Sequence, residues 1–212
     1  MGLPDEGGAR LVPIPLREVR AAVTRYADRR VLGQAELQRF FEAVDRHLSA
    51  PAKVILIGGA AIAIHGGAST TSDIDTFERI PDHLVEAARR AEAELGIEAP
   101  MSRSVAADLP SEYDSRLQRY LPGLVWLEIW VVERHDLVLS KVVRGAEHDD
   151  QQVEQLHAAQ PLDRKTLLDR FRMEMGYAVG SPDRLRTNLL QLIERLYGEL
   201  ERVRADRELP RP

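Results

Sequence analysis

The chain has 212 residues, a formal net charge of −5, 44% apolar and 30% charged residues, and no cysteine. This is the balance of a folded protein with one sizeable core, not of a disordered chain. It excludes disulfides and thiolate-held zinc, and the acidic charge argues against broad non-specific nucleic-acid binding while leaving room for a local basic patch.

Residues 1–14, rich in glycine and proline, read as an irregular arm. Met1 to Leu11 carries Asp5, Glu6 and Arg10 and lacks the apolar centre of a signal peptide, so a cytoplasmic location is expected. Helical patterns follow at Arg17 to Arg29 and Gln34 to Leu48; in the second, Leu37, Phe40, Phe41, Val44 and Leu48 form one apolar stripe. Lys53 to Ile57 reads as a short buried strand and Ala60 to His65 as a small-residue helix opened by Gly58 and Gly59. The longest apolar run, Val54 to Ile64, is well short of the ~20 residues of a membrane span, so no membrane partner is expected. Asp73 to Glu78 reads as a second strand. Pro81 opens a helix that stops at Gly96, and 97–110 shows no clear period.

Leu124 to Val132 is the strongest strand pattern, with Val125, Leu127, Ile129 and Val131 on one face and Trp126, Glu128 and Trp130 on the other. Helices are then expected at His135 to Arg144, Asp149 to Ala159, Thr166 to Tyr177 and, as one long helix, Pro182 to about Ala205. The last carries Leu185, Leu189, Leu192, Leu196, Leu200 and Val203 at helical spacing. The implied layout is an arm with helices over 1–49, a mixed α/β core over 50–133, and a helical part over 134–212.

The chemistry concentrates in Asp73-Ile74-Asp75, 14 residues after the Gly58-Gly59 pair. In an extended segment alternate side chains share a face, so the two carboxylates would point together and bridge hard divalent cations. The glycines lend backbone amides to phosphate at a helix start, and Ser72, beside the acids, is a further hydrogen-bond donor. Lys141 is one of only three lysines among 29 basic residues and sits in an apolar helical stretch, which suits a point charge for a β- or γ-phosphate. Arg144 lies one turn later on the same face. None of the six histidines has zinc-like spacing.

The run IGGAAIAIHGGASTTSDID resembles the signature of the nucleotidyltransferase superfamily, in the form seen in AbiEii-type toxins and related bacterial proteins. Residues 136–144, DLVLSKVVR, followed by His148-Asp149, are similar to that family's downstream segment. The two blocks cover roughly 54–153. The chain departs from many relatives by lacking a basic residue over 67–72 and by carrying Gln152 where a second acid is common.

The resemblance implies a nucleotidyltransferase-like mixed sheet with flanking helices. It implies a Mg²⁺-dependent enzyme, with two metals, that moves a nucleoside monophosphate from an NTP to a hydroxyl of RNA, a tRNA 3′ end among them, or of a protein. A toxin–antitoxin or phage-defence setting and a cognate antitoxin are implied with it. Asp73 and Asp75 would hold the metal. A third carboxylate is expected from Glu128 on the neighbouring strand or from Asp149, and Lys141, Arg144, Gly58, Gly59 and Ser72 would face the nucleotide. The alternative is a non-catalytic nucleotide-binding or protein-interaction module on the same fold.

Overall fold

The structure is a computed structural model that describes residues 32–66, 70–104, 108–145 and 147–210. The arm and the helix expected over Arg17 to Arg29 lie outside the described residues. The rest is a mixed α+β fold: one five-stranded sheet and eight helices.

Helix α1 (Gln34–His47) buries its stripe of Leu37, Phe40, Phe41 and Val44 completely. Strand β1 (Ala52–Leu56) then leads through Ile57 into α2 (Gly58–Ile64). Strand β2 (Ile74–Thr76) follows, then α3 (Asp82–Leu95), which Pro81 caps from outside rather than from within the first turn. The aperiodic stretch contains a three-residue strand, β3 (Met101–Arg103). Strands β4 (Gln118–Tyr120) and β5 (Leu127–Val131) complete the sheet.

The strand order is β3-β2-β1-β5-β4. β1 pairs antiparallel with β2 and parallel with β5, β2 pairs parallel with β3, and β4 pairs antiparallel with β5. β1 is therefore flanked on both sides, and Val54, Ile55 and Leu56 are buried, as an apolar run in a central strand requires.

β5 starts later than its pattern suggests. The backbone amides of Val125, Trp126 and Leu127 all donate to the Asp45 carboxylate of α1, at 3.0, 2.7 and 2.7 Å. These donors are held by a side chain, and Val125 is turned out to 78% exposure, while Leu127, Ile129 and Val131 enter the core.

Helix α4 (Arg134–Arg144) is buried along most of its length and carries α5 (Glu147–Ala159), α6 (Arg164–Glu174) and α7 (Pro182–Tyr197) around it. The single long C-terminal helix expected from the leucine spacing is two: α7 ends at Gly198, and α8 (Glu199–Glu208) begins beyond it. Gly198 has φ +91°, a backbone state that side chains other than glycine rarely adopt, and the turn there resets the helical phase. Leu200 and Val203 consequently face out, at 76% and 38% exposure, and Ala205 and Leu209 are buried instead. No helix among the described residues is long and apolar enough to cross a membrane.

Candidate active site

The site begins at the junction of β1 and α2. Ile57 donates its amide to the Asp75 carbonyl at 3.0 Å, so Asp75 on β2 lies beside the turn where Gly58 opens the helix. Gly58 has φ +63°, and a Cβ placed on it would stand 2.7 Å from Asp75 Oδ2. Glycine is required there twice, for the backbone state and for the room it leaves the carboxylate. A Cβ on Gly59 would meet Thr71 Oγ1 at 2.7 Å and Thr71 Cβ at 3.1 Å. The glycine pair is thus what lets α2 approach the acidic segment.

Asp73 precedes β2 and is exposed; Asp75 is half-buried. Thr71, buried against Gly59, donates its hydroxyl to the Asp73 carbonyl at 2.8 Å and to Asp73 Oδ1 at 3.0 Å, which fixes the bend. Burial first, and then repulsion from Asp73, push the Asp75 carboxyl above the ordinary carboxylate value. Ser102, the partner of Asp75 across the β2–β3 ladder, donates to Asp75 Oδ1 at 3.4 Å. Ser72 is half-buried in the bend and makes no hydrogen bond to a described residue.

Facing these residues is α4. A small cleft is lined by Ile57, Gly58, Asp75, Ser104, Leu137, Ser140, Lys141 and Arg144, so two segments 66 positions apart meet across it. Lys141 is buried, and its Nζ donates to Asp149 Oδ1 and to Gln152 Oε1, both at 2.7 Å. Arg144, half exposed, also binds Asp149, through Nε at 2.6 Å and through Nη2. Burial alone would raise the Asp149 carboxyl; the Arg144 and Lys141 hydrogen bonds outweigh it and hold the group below its ordinary value. Asp149 therefore serves as the anchor that aims two cations at the cleft. Gln152 keeps an acceptor for Lys141 without adding a second negative charge.

Glu128 is not brought to this place. It pairs in register with Lys53, near the start of β5, whereas Asp75 lies beside Ile57, past the end of β1. Four residues of strand separate the two levels, about 13 Å. Glu128 accepts from Trp130 Nε1 at 2.6 Å and pairs with Arg119 at 3.1 Å, and the Arg119 guanidinium lies over the Trp130 ring. Glu128 is thus engaged by Trp130 and Arg119, and the cleft is lined by the β1–α2 turn, Asp75, Ser104 and α4 instead.

Among the described residues, no three His, Cys, Asp or Glu side chains converge as a fully protein-held ion would need. Asp73 and Asp75 remain as a pair of hard oxygen donors. That set suits Mg²⁺, which takes one or two carboxylates and completes its shell with phosphate oxygens and water. Ser102, Ser104 and Thr71 stand among the acids with no strong sequence signal. The two serines fall in the stretch without periodicity, and Thr71 next to Ser72 and Asp73 reads as an ordinary turn.

A family model described as a nucleotidyltransferase of unknown function (DUF6036) matches residues 35–198. No curated protein and no solved structure matches the chain.

Proposed function

Because the chain belongs to this family of nucleotidyltransferases of unknown function, which takes in residues 35–198, we propose that it moves a nucleoside monophosphate from an NTP to an acceptor hydroxyl in a Mg²⁺-dependent reaction. The observation that carries this reading is the single cleft in which Gly58 and Asp75 face Lys141 and Arg144. Asp75, an acid donor for a cation, stands on one wall, with Asp73 two residues before it in the exposed bend, and positive charge for phosphate stands on the other.

Each residue has a task the geometry supports. Asp73 and Asp75 hold the cation, and Gly58 keeps the approach to Asp75 free of side-chain atoms. Bound there, Mg²⁺ supplies the charge that activates the acceptor hydroxyl and steadies departing pyrophosphate. Lys141 and Arg144 take the outer phosphates, and Asp149 holds both in place before substrate arrives. Phosphoryl transfer asks the protein chiefly for position and electrostatics, which is what this arrangement offers. Acceptors consistent with the class are RNA, with the tRNA 3′ end as one case, and a protein hydroxyl. A toxin of a bacterial toxin–antitoxin or phage-defence pair, with its antitoxin as partner, is the biological setting we propose.

The test is incubation with each α-³²P-labelled NTP and total RNA, with and without chelator. Chelator-sensitive transfer of label to a macromolecule is the expected result; Mg²⁺-dependent NTP binding without turnover would identify a binding module instead. Lys141→Ala is expected to weaken NTP binding about tenfold or more while changing NMP binding little, since only the triphosphate reaches the outer-phosphate cations. Isothermal titration with both nucleotides measures this, and equal losses would remove Lys141 from the phosphate site.

A further inference from the structure

Building on the nucleotidyltransferase reading, we propose that Ser102 is itself an acceptor: the protein places one nucleoside monophosphate on the Ser102 hydroxyl, and the ester occupies the cleft. Ser102 is the ladder partner of Asp75 on β3, shares its face of the sheet, and places its Oγ 3.4 Å from Asp75 Oδ1. Ser104, two residues on and hence on the same strand face, lines the cleft with Gly58, Lys141 and Arg144. The hydroxyls of Ser102, on β3, and Ser104, just past its end, therefore run from Asp75 toward Lys141 and Arg144.

Two features single out Ser102 among the hydroxyls. It is exposed, on an edge strand of the sheet. Thr71, the hydroxyl that touches Asp73, is 6% exposed and wedged against Gly59, with its proton already committed to Asp73. Among the described residues, Ser102 is the hydroxyl in hydrogen-bond contact with Asp75.

The step balances as Ser102–OH plus NTP giving Ser102–O–NMP, pyrophosphate and a proton. The Oγ–Pα bond forms, the bond from Pα to the bridging oxygen breaks, pyrophosphate leaves toward Lys141 and Arg144, and the proton passes to water at the open cleft mouth. An ester at this position fills the space a second NTP needs, so modification would end turnover.

The experiment is intact-mass spectrometry of the full chain after incubation with Mg²⁺ and each NTP, with peptide mapping, alongside transfer to RNA from the same NTP. The expected result is a gain of one NMP per chain at residue 102, absent in Ser102→Ala, present in Ser104→Ala and restored by Ser102→Thr. An adduct mapped to another residue overturns the assignment. Unchanged protein mass while label reaches RNA overturns it too and leaves the nucleotidyltransferase reading standing. If neither the chain nor RNA takes up label, the Ser102 assignment falls, and transfer to an added protein acceptor decides the nucleotidyltransferase reading separately.

Discussion

Gly58 shows how one missing side chain organises the cleft. An alanine there must adopt φ +63° and would set a methyl 2.7 Å from an Asp75 oxygen. The backbone state alone costs about 1–2 kcal/mol, so Gly58→Ala is expected to lose at least that in urea denaturation and to lose Mg²⁺-dependent transfer as Asp75 is pushed aside. Asp75 behaves differently. Its carboxyl is raised by burial and by Asp73, so the folded state favours the protonated acid. The stability this gives is fully present below the ordinary value of 3.8 and is lost as pH rises through the higher folded value. At pH 7 the ionised group is thus a strain on the fold. Asp75→Asn is expected to leave the melting temperature unchanged or raise it at pH 7, with no gain in acid, while activity falls by more than about 100-fold, as loss of a direct ligand should exceed loss of an outer-shell one. A melting series from pH 3 to 8 with parallel rates checks both halves, and retained activity would argue against catalysis through this acid.

At the scale of elements, Asp45 decides where β5 begins. Its carboxylate takes three consecutive backbone amides, that of Leu127 buried and those of Val125 and Trp126 partly so. Asp45→Ala is expected to cost about 1–3 kcal/mol and to leave the chemistry of the cleft, built from other elements, largely intact; chemical denaturation and a transfer assay separate the two. This contact also marks a limit of what the sequence shows. The alternation of Leu127, Ile129 and Val131 is visible locally, but the exposure of Val125 comes from a residue 80 positions earlier. The Gly58-Gly59 and Asp73-Ile74-Asp75 segments are legible because tight approach and period-two spacing each demand particular residue types. Glu128 misleads for the same local reason. An acid between two tryptophans suggests a cleft floor, while Trp130, on the same strand face, donates to it and its ionic partner Arg119 is seen only once β4 is folded beside β5. The strands β3 and β4, three residues each, are too short to show a period, and Ser102 is hidden with β3. Lys141 stands out by its scarcity and its place in an apolar helical stretch, yet its anchor at Asp149 depends on how α5 folds back on α4.

For the whole molecule, a buried ionic network joins the helical part to the segment that leads into β4 at one edge of the sheet. Asp136, with no exposed side-chain surface, accepts from Arg116 Nε at 2.9 Å just before β4 and from Arg170 Nη1 of α6 at 2.8 Å. Arg170 also binds Glu133, which accepts from His135, and Arg116 reaches Glu174 at the end of α6. Asp136→Ala would leave two arginines with a lost partner in a largely dry site. The expected cost is about 3–5 kcal/mol, read as a lower denaturation midpoint, with cleft residues untouched by the change. A loss under about 1 kcal/mol would mean that the packing of α4, not the charges, holds these elements together.

The parallel pairing of β1 with β5 has a consequence in time. Parallel neighbours need a long crossover between them, and here Lys53 meets Glu128 only after all of α2, β2, α3, β3 and β4 have been made. The cleft inherits that delay. Asp75 leaves the peptidyl-transfer centre 66 residues before Lys141, about 3–13 s at ordinary rates of synthesis. During that interval the nascent chain holds its acids but has no opposing cations and no finished sheet to align them. Any activity toward NTP is therefore withheld until α4 and α5 have emerged and docked, and a ribosome stalled before Asp149 would display an inert intermediate.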